Sequence, residues 1–369
     1  MSTTVAAAPA GRPGRAKAPS SGPSGRDDGK GQRPGLARTN AGRSLGLLIA
    51  VVTLAVCLLG SLAIGARSLP LPDVWNALFA FDGSEAAFIV RDLRVPRALL
   101  GLIVGAALGV SGALIQALTR NPLADPGILG VNAGAGFAVT LGIAFLGLTS
   151  FEGYLALSFA GAIVVTTAVY ALGSAGRAGA TPVKLTLVGV ALSAVLAGIS
   201  SAIALLRPDV FDEMRGWAAG SLAARGWDTF WNVLPFITVG LVLALLSARS
   251  LNAVALGDDL ARSLGASVGR TRVVVVIAVT LLAGAATAAA GPIGFVGLMI
   301  PHIARWFVGP DQRWIMLYTM VCAPILLVLS DTVGRIVLSP QELQVGIVTA
   351  FIGAPVLILL VRRKKASGL

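Results

Sequence analysis

The chain carries little charge for its length, and this shortage excludes an ordinary soluble fold. Only 12% of its 369 residues are Asp, Glu, Lys or Arg, whereas 56% are hydrophobic and the mean hydropathy is +0.84. Soluble domains carry about a quarter of their residues as charged side chains, and about twenty apolar residues suffice for one membrane crossing. The composition therefore predicts a polytopic membrane protein with little room for a separate soluble domain.

Residues that carry chemistry are also scarce. His302 is the single histidine, which excludes a two-histidine zinc motif and a Ser-His-Asp triad with a spare base, and we expect it to hydrogen-bond near a helix end. No Gly-x-x-x-x-Gly-Lys-Ser/Thr motif occurs, so this chain does not itself cradle nucleotide phosphates. Cys57 and Cys322 lie inside apolar runs, which favours small buried hydrophobes. We predict no catalytic residue, no metal site and no cofactor bound by this chain.

Ten apolar runs, separated by charged, Pro and Gly residues, are predicted to cross the membrane. They are residues 45–66, 95–118, 127–148, 154–173, 185–206, 229–248, 273–290, 293–307, 314–332 and 345–361. The runs lack strand alternation, and backbone inside a bilayer must satisfy its own hydrogen bonds, so we predict an all-α bundle of about ten transmembrane helices. Small residues at Gly101/Gly105/Gly109 and Gly284/Ala288 predict close helix packing.

The distribution of basic residues predicts the orientation. With a cytoplasmic N-terminus, most of the 29 Lys and Arg residues fall inside, and the even number of spans places both termini there. Residues 1–43 are rich in Gly, Pro, Ala and Ser and read as a disordered basic tail, which either holds the N-terminus inside or contacts anionic lipid. Residues 44–369 form the membrane domain. The net charge of +12 is spread out and does not indicate nucleic acid.

Acidic residues are absent from the interiors of the predicted spans. The nearest is Asp331, at the outer end of the ninth span. Proton- and sodium-coupled carriers keep ionisable groups at membrane depth, so a gradient-driven secondary carrier is the less favoured alternative. A transporter with neither a P-loop nor a buried relay needs an external motor, which points to a partner ATPase.

Two hydrophobic segments interrupted by Gly and Pro suggest an internal repeat. Residues 119–127 follow the second span and residues 291–297 follow the seventh, five spans apart and in opposite orientation. Inverted repeats of transporter halves produce this arrangement, although the two segments share little sequence.

The inner loop 250–272 is the longest cytoplasmic connection. Asp258 or Asp259 can start a short helix, Leu260 and Leu264 lie four apart on one face, and Gly265 can end it. Such a helix fits a groove on another protein, but a solvated connector fits the same spacing. From the spacing alone both interpretations stay open.

Five segments of the chain resemble the FecCD/BtuC-type permease family of ABC importers for ferric siderophores, haem and cobalamin. They are residues 94–97, 113–130, 250–272, 291–302 and 346–355, and the resemblance runs from about residue 45 to the C-terminus. Residues 119–136, 205–211 and 301–309 are most similar to the ferric-enterobactin branch of that family.

The resemblance implies a type II ABC importer architecture with inverted-repeat halves in a bacterial cytoplasmic membrane. It implies a second permease subunit, identical or sibling, two ABC ATPase subunits that bind ATP and Mg²⁺, and an extracytoplasmic substrate-binding protein. The implied function is import of a ferric siderophore, catecholate and enterobactin-like, with cobalamin or haem import as the alternative. Because the partner hydrolyses ATP, the chain itself is not expected to be an enzyme.

The resemblance also assigns roles to residues at the two membrane surfaces. Gly257, Asp258, Arg262, Leu264 and Gly265 match positions that couple the permease to its ATPase.

Arg94, Arg97 and Arg335 match positions that dock acidic residues of the binding protein. From the residues alone, snorkelling to headgroups or internal pairing with Asp92 and Asp331 is the alternative.

The resemblance makes the fifth predicted span, residues 185–206, a candidate for the lining of the translocation pathway. Gly189, Ser193, Ser200 and Ser201 supply small side chains there. Small residues suit a wide channel for a bulky chelate, but they suit tight helix packing equally well.

Overall fold

The computed structural model describes residues 36–37, 39–65, 68–80, 83–148, 150–175 and 181–363. Throughout these ranges all regular structure is helical, which confirms the all-α prediction. Most of the proposed tail, residues 1–35 and 38, lies outside the described residues.

Fourteen α-helices follow one another in the described ranges. They are α1 (Asn40–Ala63), α2 (Leu71–Phe79), α3 (Glu85–Phe88), α4 (Val95–Thr119), α5 (Val131–Leu146), α6 (Phe151–Ser174), α7 (Pro182–Leu206), α8 (Pro208–Ala218), α9 (Trp227–Ala255), α10 (Asp258–Ser263), α11 (Val268–Ala290), α12 (Val296–Val308), α13 (Gln312–Val337) and α14 (Val345–Arg363). A π-helical stretch, Ile89–Arg94, joins α3 to α4, and a 3₁₀ turn, Pro126–Leu129, precedes α5.

Seven helical stretches in the described ranges are long and apolar enough to cross a membrane. They are α1, residues 85–119, α6, α7, α9, α11 and α13. Three shorter apolar helices, α5, α12 and Val345–Leu359, coincide with the remaining predicted runs. The chain is therefore a multi-pass membrane protein, and the count of ten spans stays a prediction.

Polar capping residues set several helix starts a few positions earlier than the hydropathy pattern does. Thr39 Oγ1 accepts a hydrogen bond from the Gly42 amide at 3.1 Å, so α1 begins at Asn40 and includes residues that the sequence pattern assigned to the tail. Ser150 Oγ caps α6 in the same way through the Gly153 amide at 3.3 Å. A side-chain cap satisfies an amide that has no partner within the helix.

The centre of the bundle is built from α4, α11 and α13. Of their most apolar stretches, 83%, 78% and 61% respectively are buried, against 17% for α1 and 6% for α7. The first three helices therefore form the core of the subunit, while α1 and α7 present most of their apolar surface outward.

Glycines allow α4 to approach its neighbours at backbone distance, as the small-residue spacing predicted. A Cβ added at Gly105 would lie 2.6 Å from Pro324 Cα, and one at Gly109 would lie 2.5 Å from Ala323 Cβ, so both glycines face α13. At Gly112 an added Cβ would lie 1.8 Å from the Gly297 carbonyl oxygen of α12. No side chain fits at this crossing.

We predict that Gly112→Ala destabilises the subunit by about 1–3 kcal/mol, because the added methyl group meets backbone that cannot rotate away. The measurement is thermal unfolding of the purified chain in detergent, followed by tryptophan fluorescence. Gly60→Ala on α1 is the matched control, since an added Cβ there meets nothing within 4 Å and helix propensity favours alanine. Equal melting temperatures for the two variants would contradict the close α4–α12 contact.

Candidate functional site

A short helix projects between two long ones at one end of the bundle. Helix α9 ends at Ala255, α10 occupies only Asp258–Ser263, and α11 begins at Val268. Gly257 and Gly265 bracket α10 with φ angles of +112° and +82°, a region of backbone space that favours glycine. The short helix predicted within loop 250–272 is confirmed, although the ends of α9 and α11 occupy much of that range.

The two faces of α10 differ. Ala261 is fully buried and packs with Val254 and Val268, whereas Leu260 and Leu264 are 49% and 63% exposed. Isolated exposed leucines are ordinary, but here two of them lie on one face of a projecting helix. The face offers an apolar contact to another molecule.

Asp258 anchors α10 to the body of the subunit. Its carboxylate accepts a hydrogen bond from Arg272 Nη2 at 2.6 Å and another from Arg120 Nη2, while Arg120 Nε also donates to the Val254 carbonyl at 2.9 Å. Burial alone would raise the pKa of Asp258, but the hydrogen bonds and charges of Arg272 and Arg120 outweigh it and lower the pKa. Asp258 therefore holds the helix in place and does not project toward solvent.

Arg262, the basic member of the predicted coupling set, lies on the exposed side of α10. Its Nη1 donates to Asp259 Oδ1 at 2.8 Å, and both side chains are largely exposed. An exposed pair of this kind contributes little to stability, so both groups remain accessible to a partner.

We predict that Asp258→Asn loosens α10, because two guanidinium groups lose a charged acceptor worth about 1.5 kcal/mol or more. Amide hydrogen exchange across residues 258–264 should become about tenfold faster at neutral pH. Asp259→Asn is the matched control and should leave exchange unchanged.

Acid should have the same effect on the unmodified chain. Because the folded pKa of Asp258 is lowered, the anchor is intact above the ordinary aspartate pKa of about 3.9 and is lost only as the pH falls through the lower folded value. Loosening already at pH 6 would contradict the assignment.

At the opposite end of α4, two of the predicted docking arginines hold the end of α1. Arg94 Nη1 donates to the carbonyls of Leu62 and Ala63 at 2.6 and 3.0 Å. Arg335 Nη1 donates to the carbonyls of Ser61 and Ile64 at 3.1 and 3.2 Å. Carbonyls at a helix C-terminus lack partners within the helix and lie at the negative end of its dipole, so the two buried guanidiniums cap α1.

The third arginine, Arg97, lies between two carboxylates. Its Nε and Nη2 bind Asp331 with N–O distances of 2.9 and 2.8 Å, and its Nη1 binds Glu342 Oε2 at 2.8 Å. Arg335 Nη2 also contacts Asp331, at 3.2 Å. The internal pairing with Asp331 that the sequence left open is thus present, and Glu342, which the sequence pattern did not single out, joins it.

We predict that Asp331→Asn destabilises the subunit by about 3–5 kcal/mol, because it leaves two buried guanidiniums without their shared counter-ion. The Asp331 side chain is only 6% exposed, whereas that of Glu342 is 31% exposed. Glu342→Gln should therefore change stability by less than about 1 kcal/mol. Thermal unfolding in detergent measures the stability of both variants. Similar losses of stability would contradict the explanation that the greater burial of Asp331 causes the larger effect.

The two sites occupy the two ends of one helix. Arg97 and Arg120 are 23 residues apart along α4, which corresponds to about 35 Å in an α-helix, and the hydrocarbon core of a bilayer is about 30 Å thick. A membrane crossed by α4 therefore separates the arginine–carboxylate cluster from α10.

A model of the FecCD transport family matches residues 53–363. The chain belongs to the FecCD transport family.

Relatives of this FecCD chain are themselves permease proteins. It is 51% identical over 322 residues to the ferric enterobactin transport system permease protein FepD of Escherichia coli (strain K12), covering 87% of this chain and 95% of FepD. It is 40% identical to the probable siderophore transport system permease protein YfiZ of Bacillus subtilis (strain 168), covering 86% and 94%. A solved metal-chelate type ABC transporter chain in an inward-facing conformation superposes with a TM-score of 0.77 at 29% identity, covering 87% and 99%.

The predicted pathway residues of the FecCD chain do not form one cluster. Gly189 is buried, and a Cβ added there would lie 1.8 Å from the Ile128 carbonyl oxygen, so close packing on the 3₁₀ turn explains this glycine. Ser193 and Ser200 are half-buried, and Ser201 is exposed. The pathway assignment of these four residues stays a prediction.

The single histidine and the two cysteines, for which the sequence predicted no catalytic or metal-binding role, lie within the helices of the FecCD chain. His302 is buried in α12, with its ring 5.3 Å from that of Trp306. Cys57 and Cys322 are half-buried free thiols. In the part of the chain that the structure describes, no group of three His, Cys, Asp or Glu side chains is placed to hold a metal ion.

Proposed function

We propose that this chain is the membrane-spanning permease subunit of an ABC importer that brings a ferric siderophore, catecholate and enterobactin-like, into a bacterial cytoplasm. The single observation that carries the proposal is the 51% identity to FepD over nearly the full length of both chains. The second relative is also named as a siderophore permease, which supports the same class of substrate.

In this proposal ten helices cross the membrane in two inverted halves, with both termini cytoplasmic. The short helices α5 and α12 each follow a long core helix, α4 and α11 respectively, after a Gly/Pro turn. The packing supports the correspondence, since Gly105 and Gly109 of α4 face α13 while Gly284 of α11 faces Phe159 and Ala162 of α6. The basic loop residues support the orientation.

The energy for transport comes from ABC ATPase partners in this proposal, because the sequence has no P-loop. Helix α10 is the contact that the ATPase moves. Its exposed Leu260 and Leu264 enter a groove on the ATPase, Arg262 lies beside them, and Asp258 ties the helix to α4 and α11. A rigid link of this kind transmits a displacement of α10 into the bundle.

A second permease subunit completes the translocation pathway. Helix α7 supports this step, because it is as apolar as the core helices but only 6% of its most apolar stretch is buried within the subunit. An extracytoplasmic binding protein delivers the siderophore at the opposite end of the bundle, where Glu342 is partly exposed and pairs with the more buried Arg97.

We predict that Leu264→Asp abolishes capture of the ATPase and lowers siderophore-dependent iron uptake at least tenfold, because a charge enters an apolar groove. The chain is coexpressed with its ATPase and binding-protein partners, and copurification is measured beside iron-59 uptake in a strain deleted for the gene. Ser267→Asp is the control, since it adds the same charge at the exposed start of α11.

Uptake is compared for ferric enterobactin, a ferric hydroxamate, haem and cobalt-labelled cobalamin. Loss confined to ferric enterobactin supports the proposed substrate, whereas loss confined to haem or cobalamin replaces it. Transport by the purified chain alone in liposomes under a proton or sodium gradient would refute the ATPase-driven mechanism.

A further inference from the structure

The cluster at the outer end of α4 has a closed side and an open side. Arg94 and Arg335 are both less than 10% exposed, and their guanidiniums contact the backbone of α1. Arg97 contacts Asp331 on the closed side and Glu342 on the open side. Of the two carboxylates only that of Glu342 is substantially reached by solvent.

We propose that Glu342 is an internal competitor of the extracytoplasmic partner. Its carboxylate occupies the part of Arg97 that an acidic side chain of that partner would bind, and docking exchanges the one carboxylate for the other. This inference rests on the proposed function and deepens it, because it names the residue that sets the affinity of docking.

The geometry permits the exchange without disturbing the fold. Asp331 binds Arg97 through Nε and Nη2, which fixes the plane of the guanidinium whether or not Nη1 is occupied. Glu342 uses Nη1 alone, at 3.1 and 2.8 Å, and its carboxylate accepts no other hydrogen bond from the described residues. A partner carboxylate therefore needs to displace only this one contact.

The charges of the cluster give the exchange its direction. Arg97 and Arg335 face Asp331 and Glu342, so the charges of these four groups balance while Glu342 is in place. Moving Glu342 away leaves one positive charge in excess, which attracts an acidic side chain and disfavours a basic one. Without a partner Glu342 keeps Nη1 hydrogen-bonded, which limits the cost of burying most of the Arg97 guanidinium.

The test measures the affinity of the full-length permease for the binding protein recovered in the copurification above. The permease is held in lipid nanodiscs at 150 mM salt, and the probe is that purified binding protein. Glu342→Gln should tighten binding about fivefold to tenfold, and Glu342→Ala at least as much. In an Arg97→Gln background Glu342→Gln should have no further effect, because the two residues act through one contact.

Glu152→Gln is the matched control for net charge. Glu152 is an exposed carboxylate at the start of α6, and in the proposed topology it lies on the same side of the bundle as Glu342. The Glu152→Gln substitution removes one negative charge, as Glu342→Gln does. A gain in affinity equal to that of Glu342→Gln would reduce the effect to long-range electrostatics and overturn the inference. Unchanged or weaker binding by Glu342→Gln, with an unchanged melting temperature, would overturn it as well.

Failure of the inference and failure of the proposed function give different results. A wild-type chain that recovers no binding protein fails the proposed function and the inference together. A wild-type chain that recovers one, with an affinity that Glu342→Gln does not raise, fails the inference alone.

Discussion

The close approach of α4 to its neighbours is the contact on which the rest of the structure depends. Gly105, Gly109 and Gly112 place the backbone of α4 directly against α13 and α12, so this helix is fixed along its length. Lipid tails are as apolar as the helices, so the hydrophobic effect does not drive helices together within a bilayer. Close packing of this kind is then the main source of helix association. Because α4 is fixed, Arg97 at its start and Arg120 at its end have defined positions on opposite sides of the bundle.

Most of the fold could be predicted because its elements are set by local apolar runs. Each run of twenty or so apolar residues becomes a helix, whatever its neighbours are, since unpaired backbone is too costly in lipid. Helices α2 and α8 were not predicted because they are short, have proline in the first turn and bury few residues. The buried residues are Val74 and Ala77 in α2, and Val210 and Trp217 in α8. Their positions depend on contacts with the bundle, and no local sequence pattern predicts these contacts.

The candidate sites were predictable only in part, for the same physical reason. Asp258 or Asp259 at the start of α10 and Gly265 at its end are local signals, and the short helix follows from them. The partners of Asp258 are not local, since Arg120 lies 138 positions away, and neither is the pairing of Arg97 with Asp331 across 234 positions. Loop charges predict an outer position for these arginines, but only the packed helices decide which carboxylate each of them meets.

The predicted outer position of Arg94, Arg97 and Arg335 departs from the positive-inside trend, and their contacts give a physical reason for it. Arg94 and Arg335 are needed where they are, because the carbonyls of Ser61, Leu62 and Ile64 at the end of α1 would otherwise lack donors next to apolar surface. Asp331 then offsets the repulsion between Arg97 and Arg335, and Glu342 completes the shell of Arg97. Arginine–carboxylate pairs thus occur at both ends of α4, but the two carboxylates have different roles. Asp258 is held by two arginines and fixes a helix, whereas Glu342 is held by one nitrogen and can leave.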